Sequence, residues 1–181
     1  SLHGECKELL IDLPGTDRPE APGLLRATAI GRGTRIFHPE QLRDGKPDAG
    51  FDPPYGFLLV PDVSLYKIRA ARCYLQSAGA FAASETGYGF ARHLPDDFLG
   101  HAYPIEEIVP YRPKALKTLF RTRGIERLNL LKRDFPLDAE QIARATGIRQ
   151  GGNSMAAFTT VNGQRIAVIL SEEGRERGRR L

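Results

Sequence analysis

The stretch from Pro110 to Val161, PYRPKALKTLFRTRGIERLNLLKRDFPLDAEQIARATGIRQGGNSMAAFTTV, constrains the fold more than any other. Its apolar spacing alternates between helical and strand periods, with a breaker at most junctions. Pro113 sits where a first helical residue belongs, since its missing N–H has no helical partner there. Ala115, Leu116, Leu119 and Phe120 recur as the inner stripe of a helix, while Lys114, Lys117 and Arg121 recur on the opposite side. Gly124 predicts the C-terminal cap, and Arg121 and Arg123 suit the negative end of the helix dipole. Ile125 to Phe135 reads as a strand with Leu128 and Leu130 on one face. Arg127, Asn129 and Arg133 share its other face, which Leu131 interrupts. Asp138 predicts the cap of a short helix that Gly147 ends. Ser154–Val161 and Gln164–Ser171 then flank Asn162-Gly163, a dipeptide that favours a two-residue hairpin because both positions tolerate positive φ.

The same stretch concentrates the charge. Residues 1–100 carry 11 Lys and Arg against 13 Asp and Glu, whereas residues 101–181 carry 15 against 9. Between Arg112 and Arg133 lie eight basic residues, Arg112, Lys114, Lys117, Arg121, Arg123, Arg127, Lys132 and Arg133, and one acid, Glu126. A dense cationic patch on a chain whose net charge is only +4 suits a polyanion, although many such patches are merely solvated faces. Phosphate contacts need cations on rigid elements, and these eight are the candidate nucleic-acid contacts. Exposed aromatics are sparse there, so base stacking falls to Tyr111 or to another part of the chain, and Phe120 and Phe135 read as core. The run RQGGNS at 149–154 is either an anion-binding turn or a plain loop.

Upstream, Ser1–Leu13 and Leu24–Ile30 read as a hairpin-like strand pair around a Pro- and Gly-rich loop. Residues 38–54, rich in Pro, Asp and Gly and without periodicity, read as a linker. Gly56–Val60 is a short strand, and Pro61-Asp62 opens one amphipathic helix ending at Gly79. GYG at 87–89 reads as a turn, and Tyr103–Val109 as a strand that Pro110 stops. The tail after Ser171 has almost no apolar content.

Chemical signatures are scarce. No P-loop, dinucleotide-type glycine loop, HExxH or GxSxG occurs, and His3, His38, His93 and His101 show no ligand spacing. Cys6 and Cys73 stand far apart without a CxxC, so neither a metal nor a disulfide is expected. Glu106 and Glu107 are adjacent on a presumed strand and should point to opposite faces. No catalytic residue is assigned. No apolar run reaches the roughly 18 to 20 residues that span a bilayer, and no signal peptide pattern opens the chain, so a cytoplasmic protein is expected. From residue patterns alone the chain is an α/β module with a basic face.

A family resemblance carries the reading further. The run EEIVPYRPKALKTLFRTRGIERLNLLKRDFPLDAEQIARATGIRQGGNSMAAFTTVNGQRIAVI resembles the THUMP-like domain at the C-terminus of a group of bacterial class I S-adenosylmethionine-dependent methyltransferases. The shared features are a strand ending in VP, a Lys-rich helix, the LLKRDFP segment with its following short helix, a GG turn, and a strand ending near FTT. YGFLLVPDVSLYKIRAA is similar to that family's upstream strand, turn and helix. The resemblance implies an α+β fold: a mixed sheet with about three helices, preceded by a strand pair left over from the methyltransferase domain. It implies a connector over residues 1–37, a linker over 38–54, the THUMP-like domain over 55–171 and a charged tail over 172–181. It further implies a fragment of a longer protein, whose upstream half holds S-adenosylmethionine; no cofactor is expected in this chain. RNA, in particular tRNA, and that upstream domain are the implied partners. The alternative is a structural or dimerisation domain that binds no RNA.

Overall fold

A computed structural model describes residues 24–29, 33–43 and 50–171. The proposed strand Ser1–Leu13 and the tail from 172 lie outside the described residues. Among the described residues, Leu25–Ala29 (β1) pairs antiparallel with Gly33–Phe37 (β2), so the hairpin partner of the LLRATAI strand is the segment that immediately follows it. Pro39–Arg43 (α1) is a short helix within the stretch read as a linker.

Seven strands form one mixed sheet in the order β4-β5-β3-β6-β9-β8-β7. They are Phe57–Pro61 (β3), Phe81–Ala82 (β4), Gly89–Ala91 (β5), Gly100–Pro110 (β6), Arg127–Lys132 (β7), Arg149–Val161 (β8) and Gln164–Leu170 (β9). All pairings are antiparallel except β7 with β8, which is parallel and therefore needs a crossover helix. The helices are Val63–Lys67 (α2), Ala71–Ser77 (α3), Pro113–Thr122 (α4) and Ala139–Thr146 (α5), in addition to α1. α5 supplies the crossover.

Side-chain alternation divides the core. Leu116 and Phe120 of α4 and Ile142 of α5 pack on Leu128, Ala156, Phe158, Ala167 and Ile169 of the sheet. Leu75 of α3 packs on Leu59, Ala82 and Ala91 of the same sheet face. The other face gathers Leu58, Phe90, Ala157, Val168 and Leu170, and strand and loop residues such as Phe51, Tyr55 and Tyr88 pack with them. Each of these side chains contributes about 1.5–3 kcal/mol when fully buried, alanine excepted.

The two edges of this sheet meet. The loop between β4 and β5, at one edge, reaches Asp134, which follows the strand at the other edge. Thr86 Oγ1 donates to Asp134 Oδ1 at 2.7 Å, and Ser84 Oγ donates to Oδ2. The sheet is therefore curled around the face that carries Leu58, Ala157 and Val168, with Asp134 closing the curl.

Local signals explain most elements. Asp138 and Gln141 form a reciprocal capping box, and Gly147 ends α5 at φ 73°. Asn162 and Gly163 take φ 49° and 77°, as a two-residue hairpin requires. The expected single helix over 61–79 is instead two. Arg69 adopts φ 58°, and Ala70 N–H reaches back to Leu65 O at 2.8 Å. The break lets Leu65, Ile68, Ala71 and Tyr74 meet β1 and β2 while Leu75 meets the sheet. The strand pair thus shares a core with α2 and α3. The strand expected over 125–135 is shorter, because Asp134 takes φ 49° to receive the loop from the far edge.

Candidate nucleic-acid interface

The eight basic residues do not form one surface. α4 follows Arg112, an extended cap residue, and buries Leu116 and Phe120, each 1% exposed. A helix of 3.6 residues per turn then directs Lys114, Lys117 and Arg121 outwards, and all three are exposed. No carboxylate of the described residues pairs with any of them. The Lys117 chain lies along the end of α5: a β-carbon at Gly147 would stand 3.1 Å from its Cε and 3.6 Å from its Nζ. Its ammonium therefore sits near the negative end of the α5 dipole.

Arg123 is engaged elsewhere. Its Nη1 donates to Glu106 Oε1 at 2.8 Å and its Nη2 to Glu107 Oε2 at 2.5 Å. Adjacent strand residues ordinarily diverge, yet a register shift in β6 between Ile105 and Glu107 makes Glu106 a bulge residue. Both carboxylates then face the end of α4. The expectation that they point apart is overturned, and Arg123 is a neutralised part of the scaffold.

Arg133 is also structural. Its guanidinium carbon lies 3.7 Å from the centre of the Tyr66 ring, and its Nη1 is 3.4 Å from Thr86 O. Burial pushes the Tyr66 hydroxyl up to about 12, with the Arg133 charge opposing and Asp134 reinforcing the shift. Burial raises the neighbouring Tyr88 further in the same direction. Arg133, Asp134 and Tyr66 together fasten the curled sheet.

Arg127 and Lys132 are exposed on the edge strand β7. Leu128 and Leu130 of that strand pack under the helices, so Arg127, of opposite parity, belongs to the other face. Its chain runs along a glycine pair. A β-carbon on Gly152 would stand 2.8 Å from Arg127 Cβ, and one on Gly151 would stand 3.6 Å from its Nη2. The glycines take φ 99° and 88°, in a widening of β8 that separates the pairs Leu128–Gln150 and Asn129–Met155. Asn129 Nδ2 ties this widening to β7 by donating to Gly152 O at 2.6 Å.

Tyr111 is not a stacking platform. Its ring makes edge contacts with Phe135 at 4.9 Å and Phe158 at 6.0 Å, inside the cluster beneath α4. Phe120 and Phe135 are core residues, 1% and 6% exposed. Arg149, which the sequence placed in the RQGGNS run but not among the eight basic candidates, lies opposite Arg127 in the parallel ladder. Its position beside Arg127 follows from the strand pairing alone.

Other chemistry is limited. A cleft of about 580 Å³ opens beside β4 and β5 over Tyr55, Phe81 and Phe90, and its rim holds the Asp52–Arg92 ion pair at 3.2 Å. Burial pushes the Cys73 thiol up, away from the reactive thiolate. Among the described residues no cluster of three His, Cys, Asp or Glu is placed to hold a metal. No helix there is long and apolar enough to cross a membrane.

Comparison with known proteins agrees with this architecture. Residues 100–172, which span β6 through β9, match the family model described as THUMP domain-like. Residues 100–172 form a THUMP-like domain. The THUMP-like domain thus contains α4, α5 and all eight basic residues, whereas β3, β4 and β5 extend its sheet from outside the matched segment. The chain is also similar in fold to a crystal structure of a putative methyltransferase from Porphyromonas gingivalis W83, with TM-score 0.70 and 20% identity. The likeness covers 82% of this chain but only 37% of that one, so the chain spans little more than a third of its length. No curated protein sequence matches the chain significantly.

Proposed function

We propose that this chain is the RNA-gripping, substrate-presenting part of an S-adenosylmethionine-dependent methyltransferase of the cytoplasm, with tRNA as its substrate class. The observation that carries the reading is the outer face of α4. Lys114, Lys117 and Arg121 stand there exposed and paired with no carboxylate of the described residues, on a helix whose inner stripe is fixed in the core. Three cations on so rigid an element favour phosphates, and without an exposed aromatic beside them the contacts carry backbone and shape rather than base sequence. The likeness in fold to the Porphyromonas gingivalis protein described as a methyltransferase supports that context.

The described residues do not fit the methyl donor itself. Arg127 packs over the paired glycines 151–152, and Asp52, on the rim of the cleft, is already paired with Arg92. In this reading the donor and the transfer step belong to an upstream half of the same polypeptide.

A competing reading is a structural or dimerisation domain without RNA. Leu24, just before β1, and Ile36 of β2, 44% and 53% exposed, favour it. The decisive measurement is tRNA binding by fluorescence anisotropy across a salt series, with the Lys117→Glu/Arg121→Glu variant alongside. The slope of log K against log salt should fall by about 0.7 to 0.9 for each lost contact. A slope indifferent to the variant removes RNA from α4 and leaves the structural reading.

A further inference from the structure

We infer that Arg127 and Arg149 form a second anion site, built to take a backbone phosphate of the RNA, on the edge of the sheet away from the outer face of α4. The inference rests on the RNA reading above, but its evidence is separate. The two arginines are register partners in the parallel β7–β8 ladder, and Arg149 N–H is fixed by Glu126 O at 2.9 Å. Partners on adjacent strands lie about 4.8 Å apart and project from the same face. Like charges so placed repel each other. No carboxylate of the described residues relieves them: the ion pairs there join Arg72, Arg92 and Arg123 to other acids, and neighbouring Glu126 pairs with neither arginine.

The fold also makes room for this arrangement. Gly151 and Gly152 adopt positive φ, and at Gly152 any side chain would collide with Arg127 Cβ. The glycine pair therefore gives Arg127 a bed without side chains, its Nη2 and Nε 3.6 and 3.9 Å from the β-carbon position of Gly151. A guanidinium held along a bare backbone, next to a second one, suits the bidentate geometry of a phosphodiester better than a free lysine would.

The test compares tRNA binding, again across a salt series, for the unmodified chain and three variants. These are Arg127→Gln/Arg149→Gln, Arg127→Lys/Arg149→Lys, and Lys114→Gln/Lys117→Gln/Arg121→Gln. The glutamine pair should lower the salt slope by about 0.7 to 0.9, the increment for one phosphate. The lysine pair should keep the slope and weaken binding. The melting temperature of the glutamine pair should hold or rise, because repulsion is relieved. Should it fall through lost packing at Arg127, Arg149→Gln alone carries the test, with weaker binding and a fall in slope no larger than about 0.7 to 0.9. An unchanged slope in the arginine variants, with a reduced one in the α4 variant, overturns this site and leaves the RNA reading standing. Absence of salt-sensitive binding in the unmodified chain overturns both. Equal displacement of tRNA by millimolar inorganic phosphate from the unmodified chain and the glutamine pair also refutes the site, since free phosphate should compete less where the arginines are missing.

Discussion

Replacing Tyr111 with phenylalanine should stabilise the protein. The Tyr111 ring is held by edge contacts with Phe135 and Phe158, while its backbone N–H donates to Arg165 O at 2.8 Å. All of these survive in phenylalanine. Its hydroxyl, by contrast, is buried without a hydrogen-bond partner among the described residues. Burial accordingly raises the Tyr111 pKa, with the Arg165 charge opposing. An unpaired buried hydroxyl costs about 1–3 kcal/mol, and because the residue is only partly buried the lower end applies. Tyr111→Phe should then gain about 1 kcal/mol, or roughly 2–4 °C in melting temperature for a chain of this size. Thermal melts and urea titration would read it, with the urea midpoint rising at unchanged slope. Tyr111→Leu serves as the control, since losing two aromatic contacts of about 0.5–1.5 kcal/mol each should lower the melting temperature. A fall of about 2 °C or more in Tyr111→Phe would mean that the hydroxyl is paired, and the reasoning would fail.

Two further perturbations probe the scaffold. Asp138→Ala removes one side of the α5 capping box, in which Asp138 Oδ1 accepts from Gln141 N–H at 2.7 Å. It should cost about 1 kcal/mol by urea denaturation, Asp138→Asn much less, and an equal loss in both would refute the cap as the cause. Tyr66 should give the protein an alkaline limit. A hydroxyl whose pKa rises from 10.0 unfolded to about 12 folded contributes stability that is complete below the lower value and lost as pH climbs through the upper one. Melting temperature should therefore decline above about pH 10, and more shallowly in Tyr66→Phe. Identical profiles would refute the assignment.

Closure of the curled sheet joins distant parts of the chain. Asp134 binds residues 48 and 50 positions away, and Arg133 lies on Tyr66, 67 positions away. A basic residue in the densest cationic run thus serves as a fastening. Arg123 is similarly withdrawn by two glutamates whose convergence depends on one bulge. Density of charge in the sequence therefore overstates the surface available to a polyanion.

The sequence by itself determined the elements whose signals are local. Pro113 and the stripe of Leu116, Leu119 and Phe120 placed α4, Asp138 and Gly147 bounded α5, and Asn162-Gly163 made the hairpin, because caps, periodicity and backbone freedom act within a few residues. The order of these elements also sufficed for the THUMP-like resemblance. Tertiary structure alone decided the break at Arg69, the convergence of Glu106 with Glu107, the withdrawal of Tyr111 into the core and the pairing of Arg127 with Arg149. Each depends on which strand or helix lies alongside, and that choice is made by burying apolar faces across the whole chain, at separations where local propensity carries no information.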